Sequence, residues 1–263
     1  EPRCESIIAD RTDATVLAAA VAGRRFDAVF DMIAYEPEAS RSAARLFRGA
    51  TGRFIHCSTI SVYMVSHEIQ CPVTEDQSHG ALMQDWPRNP FGMSYGIKKR
   101  QCEQVLWNYH DARLFPVSML RPTFVSGPDD PTRRDWFWIQ RMQDGQTLLV
   151  PGSGDHAFQQ VYVEDVARMF VGLLDRAASI GNAYNIASEE IFSLNEYLQS
   201  LGSLMHRSPA CVHIDQGEFD RLPISMSREG DVFPFATRRT AVFCLDQIKH
   251  DLDYHSTSWK VWM

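Results

Sequence analysis

Apolar positions along the chain alternate between two spacings. Nearly continuous apolar runs fall at residues 4–10, 26–34, 53–63 and 115–122. Runs of this kind mark strands covered on both faces. The segments between them have helical spacing. Residues 13–23 predict a helix with Asp13 as N-cap and Gly23 as its stop. Residues 37–50 open with Pro37, which suits a first helical turn. Residues 94–106 form an amphipathic helical pattern. Strand and helix in alternation, with short joints, predict an α/β fold: a doubly wound parallel sheet with helices on both faces. In such sheets the ligand crevice lies beyond the carboxyl ends of the strands. Weight therefore falls on Asp10, Ala34, Tyr35, Ser58, Thr59, Pro122 and Thr123, which stand at those ends.

From residue 123 the texture changes, with frequent Gly, Pro, Asp and Trp. Residues 159–163 read as a strand, 164–177 as a helix and 182–188 as another short strand. Residues 193–205 read as a helix that opens with a capping box, Ser193 with Glu196 three residues on. Two regions are expected: a nucleotide-binding one over 1–122, with return segments near 159–188, and a smaller mixed region over 123–263 that completes a cleft. Internal repeats and low-complexity tracts are absent.

Charge narrows the partners. The net charge is −7 in 263 residues, which argues against a protein that coats nucleic acid or anionic membrane. Six cysteines, Cys4, Cys57, Cys71, Cys102, Cys211 and Cys244, form no C-x-x-C pair and no Cys/His group with zinc spacing, so no metal is expected. Free thiols, no long apolar span and no charged-then-apolar leader together suggest a cytoplasmic protein.

The candidate chemistry lies in "SYGIKKRQCEQVL". Tyr95 and Lys99 are one helical turn apart and so share a face. A free tyrosine, with a pKa of about 10, is a poor acid or base at neutral pH. A nearby ammonium favours the phenolate and is expected to lower that value. A hydroxyl at a strand end, Thr59 with Ser58 and Ser61 as rivals, could hold a substrate oxygen beside the phenol. Such a trio suits proton transfer to or from an alcohol or carbonyl while hydride moves to a nicotinamide.

Thr59, Tyr95 and Lys99 in this order, on a parallel α/β pattern, resemble the extended short-chain dehydrogenase/reductases. Within them the match is to the NAD-dependent epimerase/dehydratase family. "IIADRTD", "VFDMIAY", "FIHCSTISVY", "MLRPTFVSGP", "VYVEDVA" and "AYNIAS" resemble its other motifs in order and spacing. The resemblance implies a Rossmann-like fold, NAD or NADP as cofactor, a small-molecule substrate and, as an open expectation, a homodimer. It implies Thr59, Tyr95 and Lys99 as catalytic residues. Asp10, Arg11, Ile33, Ala34, Tyr35, Cys57 and Pro122 would join Tyr95 and Lys99 around the cofactor. Ser61, Thr123, Arg133, Arg134 and Gln159 would face the substrate.

The departures are equally specific. The family's Gly-x-x-Gly-x-x-Gly turn, which cradles a pyrophosphate at a helix N-terminus, has no counterpart in this sequence. Glu1 stands roughly where the family's third strand begins, so the chain is expected to be incomplete and to bind a nicotinamide cofactor weakly by itself. Ile60 and Ser61 follow Thr59 where the family's dehydratases carry Asp-Glu, which argues against water elimination. Phe158, Gln159 and Gln160 stand where many members carry a phosphate-binding arginine; Arg133 or Arg134 could replace it. The competing reading is a non-catalytic relative that senses nucleotide or binds RNA.

Plainer roles are expected elsewhere. Asp10 is either an adenine contact or a turn former, and Asp165 opens a helix. Trp136 and Trp138 pack, His56 is a structural residue of a buried strand, and His250 and His255 have no evident partners.

Overall fold

The computed structural model describes residues 4–84, 92–221 and 233–263. Its elements run in chain order as α1 (Ala14–Ala20), β1 (Val29–Asp31), α2 (Pro37–Phe47), β2 (Phe54–Cys57), α3 (Ser61–Met64) and α4 (Gly92–Asp111). There follow β3 (Val117–Pro122), β4 (Phe124–Ser126), α5 (Arg134–Gln143), β5 (Leu148–Pro151), β6 (Ala157–Phe158), β7 (Gln160–Tyr162) and α6 (Val163–Gly172). The chain ends with β8 (Ala183–Ile186), β9 (Phe192–Ser193), α7 (Leu194–Leu204), β10 (Cys211–Ile214), α8 (Gln216–Arg221), α9 (Asp246–Leu252) and α10 (Trp259–Trp262).

β1, β2, β3 and β8 form one parallel sheet in that order. Successive residues of a strand point to opposite faces, and β2 shows what each face meets. Phe54 enters a cluster with Ala43 and Ala44 of α2 and Leu106 of α4. Ile55 enters another with Val166 and Phe170 of α6 and Ile248 of α9. The sheet is thus covered on both sides, as the continuous apolar runs predict. A third cluster joins Trp138 and Met142 of α5, Val150 of β5, Phe158 of β6 and Leu198 of α7. Three short pairs frame it: β4 with β7 and β5 with β10, both parallel, and β6 with β9, antiparallel.

Local signals held where they rested on short-range chemistry. Asp13 caps α1 by accepting from the amides of Thr15 and Val16. Pro37 is the first residue of α2. Ser193 and Glu196 form the predicted capping box of α7.

Several expectations fail. Residues 4–10 carry no ladder; Ile8 is 100% exposed. The only strand beside β1 among the described residues is β2, and an apolar run becomes a strand only where backbone partners exist. The run 53–63 is not one strand. β2 stops at Cys57, and α3 begins at Ser61, whose amide donates to Thr59 Oγ1 at 3.2 Å. Asp165 does not serve its own helix N-terminus. It is buried and accepts from Thr257 N at 2.7 Å and Thr257 Oγ1 at 2.8 Å, which fastens the C-terminal segment to α6. His250 contacts Asp251 at 2.7 Å and His255 lies 3.6 Å from Asp253. Trp138 is core and donates to Pro234 O at 3.0 Å, whereas Trp136 is exposed. No described helix is long and apolar enough to cross a membrane.

Candidate active site

Tyr95, Lys99 and Glu103 recur every four residues along α4, one stripe on one face. The stripe lies over the carboxyl ends of the sheet. Glu103, buried, accepts from Ser58 Oγ at 2.5 Å and from Arg121 Nε and Nη2 at 2.9 and 2.7 Å. Lys99 Nζ donates to Ala34 O at 2.9 Å and Cys57 O at 2.7 Å, the carbonyls that follow β1 and end β2. Thr59 is near enough to Tyr95 for its hydroxyl to act on the phenol. Thr59 Oγ1 also lies 3.2 Å from Ser61 Oγ. Gly96 permits this approach of α4 to α3. A Cβ there would stand 2.5 Å from Ser61 O and 2.6 Å from Val65 Cγ1, so only glycine fits.

Electrostatics differ from the expectation in one respect. Burial pushes the Tyr95 phenol above its ordinary value. The Thr59 hydroxyl and the Arg134 charge pull the other way without reversing the shift. The net shift is thus opposite to the one the i, i+4 spacing suggests, and the Lys99 ammonium points at the strand-end carbonyls. Burial also lowers the Lys99 value.

The other predicted residues divide into those near this cluster and those held elsewhere. Ile33 and Tyr35, both half-exposed, flank buried Ala34 after β1, and the Tyr35 ring lies 6.3 Å from that of Tyr95. Cys57 contributes its carbonyl. Pro122 ends β3 and accepts from Ile60 N at 3.1 Å. Thr123 is buried, with its hydroxyl unpartnered. Arg134 lies over the Phe124 ring at 5.5 Å, while Arg133 is exposed and has a left-handed backbone at the start of α5.

Three of these residues have partners within the chain. Asp10 forms a turn by accepting from Thr12 N at 2.8 Å and Oγ1 at 2.7 Å. Arg11 is held in a two-bond pair with Asp31, at 2.5 and 3.2 Å. Gln159 is buried with both amide ends occupied: Nε2 donates to Ser188 O at 2.7 Å, and Oε1 accepts from Phe243 N at 2.7 Å. Glu103 and Arg121 escaped sequence reasoning. Extending the Tyr95–Lys99 period by one more turn would have found the first. A separate cavity of about 420 Å³ opens in the second region, lined by Gly152, His156, Asp215 and Arg238 among others. None of the predicted site residues lines it.

A trifunctional UDP-glucose 4,6-dehydratase/UDP-4-keto-6-deoxy-D-glucose 3,5-epimerase/UDP-4-keto-L-rhamnose-reductase of Arabidopsis thaliana is 28% identical over 162 residues, 61% of this chain and 23% of that protein. The low-salt glycan biosynthesis protein Agl12 of Haloferax volcanii is 31% identical over 137 residues, 52% of this chain and 40% of that protein. The chain therefore spans less than half of either relative. Among solved structures, a double mutant of the dTDP-glucose 4,6-dehydratase DesIV from Streptomyces venezuelae, with NAD bound, superposes with a TM-score of 0.71. It is 20% identical, with 100% of this chain and 78% of that one covered, a likeness that shows the fold. The model of the NAD-dependent epimerase/dehydratase family matches residues 2–187. With that match over most of its length, the chain belongs to the NAD-dependent epimerase/dehydratase family.

Proposed function

We propose that the full-length protein is an NAD(P)-dependent oxidoreductase or epimerase acting on a hydroxyl or keto carbon of a sugar-like substrate. What supports this reading is Tyr95 beside the strand-end hydroxyl of Thr59, one helical turn from the buried Lys99 ammonium that donates to Ala34 O and Cys57 O. The strand ends fit the nicotinamide-ribose half of such a cofactor. They offer half-exposed Ile33 and Tyr35 as an apolar shelf beside the Lys99 donor. Lys99 would donate to ribose hydroxyls, and Ala34, Cys57 and Pro122 would shape the floor. The bound nicotinamide supplies a hydride acceptor or donor for the substrate carbon.

Thr59 holds the substrate oxygen by its hydroxyl. Tyr95 Oη moves the proton, giving it to a carbonyl oxygen or taking it from a hydroxyl. A phenol pushed up by burial is protonated at neutral pH, which suits donation to a carbonyl. The reverse direction needs cationic help, which the Arg134 charge would give. Ser61 and Thr123 line the substrate side, with Arg133 and Arg134 as candidate anion contacts. A nucleotide-sugar substrate accords with the activities named for the Arabidopsis relative. A homodimer remains part of the proposal.

The test is incubation of the full-length protein with UDP- and dTDP-hexoses and NAD or NADP, with products read by NMR. An epimerised sugar, or reduction or oxidation matched by cofactor absorbance, supports the reading. Folded protein that leaves every such sugar unchanged overturns it. Cofactor retained through purification would favour an epimerase, and exchangeable cofactor a reductase.

A further inference from the structure

Lys99 carries three N–H donors, and three acceptors surround them. Two are the carbonyls of Ala34 and Cys57. The third is a side chain, His56 Nε2 at 3.4 Å. His56 is fully buried on β2, and its other nitrogen, Nδ1, has no hydrogen-bond partner. That nitrogen lies 4.0 Å from Asp31 Oδ2, outside hydrogen-bond reach but within that of charge. Asp31, also buried, is locked by Arg11.

We propose that His56 is a positioning residue for Lys99: a neutral imidazole with its proton on Nδ1, whose Nε2 accepts one ammonium proton and fixes where that charge stands. The inference rests on the reading of Lys99 as the site's cation. The tautomer follows from the neighbours. An ammonium only donates, so Nε2 must be the acceptor and the ring proton must sit on Nδ1. The carboxylate of Asp31 attracts that N–H end of the ring. The charged groups acting on His56 are Arg11, Asp31, Lys99 and Arg121. Burial and the three cations among them hold the imidazole far below its ordinary value, hence neutral and able to accept. A histidine that only packed would have no need of this orientation. The arrangement also makes the long 3.4 Å contact the one that Lys99 can exchange for a ribose hydroxyl while both carbonyls keep their hold.

The test uses NMR of the full-length protein and requires neither cofactor nor turnover. Long-range ¹H–¹⁵N spectra, with His56 assigned from His56→Gln, should show the Nδ1–H tautomer throughout about pH 5.5 to 9, a range that brackets the ordinary histidine value. Labelled lysine, with Lys99 assigned from Lys99→Arg, reads that ammonium separately from Lys98, Lys249, Lys260 and any other lysine of the full-length protein. His56→Leu should lower the Lys99 midpoint by about one pH unit, the measure of one lost charge-assisted hydrogen bond. His56→Gln, which retains an acceptor, should restore most of it. An Nε2–H tautomer, a His56 that titrates in the ordinary range, or an unmoved Lys99 in folded His56→Leu overturns the proposal. If His56→Leu does not fold, the wild-type tautomer decides. Wild-type protein without activity on sugars would overturn the proposed function and leave this assignment to the spectra.

Discussion

Glu103 and Arg121 form a two-bond ion pair with both side chains buried, and the same Glu103 oxygen that accepts from Arg121 Nε accepts from Ser58 Oγ. Ser58 precedes Thr59, so the pair fixes the strand end that carries the candidate substrate hydroxyl. Arg121 Nη1 also reaches Tyr63 Oη at 2.5 Å and Glu75 O at 2.8 Å. Removing one partner leaves the other charge buried and unmatched. Glu103→Ala is expected to destabilise the protein by about 3–5 kcal/mol. Urea denaturation measures this; a loss under about 1 kcal/mol would show that water replaces the carboxylate.

Tyr95→Phe removes one hydroxyl from a half-buried ring. Folding and cofactor affinity should stay nearly intact, while turnover falls by roughly 10²–10⁴, the range for a positioned acid–base group. Lys99→Met should harm both rate and cofactor binding. Thr59→Val should act chiefly on rate, through a hydrogen bond made to the reacting oxygen. Near-normal turnover by Tyr95→Phe would refute the proposed acid–base role.

Alkaline pH should unfold the protein. Burial raises Tyr63, Tyr184, Tyr197 and Tyr254 above the ordinary phenol value. A raised folded-state value means that the folded protein holds the proton more tightly than the unfolded chain. The resulting stability is complete below the unfolded value of about 10 and declines as pH climbs beyond it. Circular dichroism should therefore show unfolding that coincides with the phenolate absorbance. Tyr95 adds a separate measurement. The difference titration between wild type and Tyr95→Phe, without ligand, should place its phenol above the ordinary range; a depressed value would restore the Lys99 argument.

No water should be eliminated from a nucleotide-diphospho-sugar. Ile60 and Ser61 follow Thr59, and Ile60 is buried with its amide bonded to Pro122 O. Neither side chain is a carboxylate. Mass spectrometry of the product tests this, and a mass lower by one water would contradict it.

Sequence was informative where the cause is local or periodic. The caps at Asp13 and Ser193, Pro37 at the head of α2 and the apolar runs of β2 and β3 all depend on neighbours within a turn or on burial from both sides. The order Thr59, Tyr95, Lys99 likewise carried the family. Partner choice was not legible. Gln159 reads as an available amide until Ser188 and Phe243 occupy both its ends from 29 and 84 residues away. Arg11 reads as a ligand contact until Asp31 meets it. The spacing of Lys99 to Tyr95 names a shared face but not where a four-carbon stem points its charge. Residues 4–10 have the composition of a strand, but composition supplies no ladder.

Two of the passages between the sheet's cluster and the second one are adjacent strands, β4 and β7, hydrogen-bonded in parallel. Phe124 packs into the second region's cluster while Val125, its neighbour, packs against the sheet's. The return is alike: Phe158 belongs to one cluster and Val161 to the other. Bending here would pull a side chain out of one cluster and break the pairing between strands. A seam held both by a strand ladder and by side chains on each side resists bending more than a single unpaired linker would.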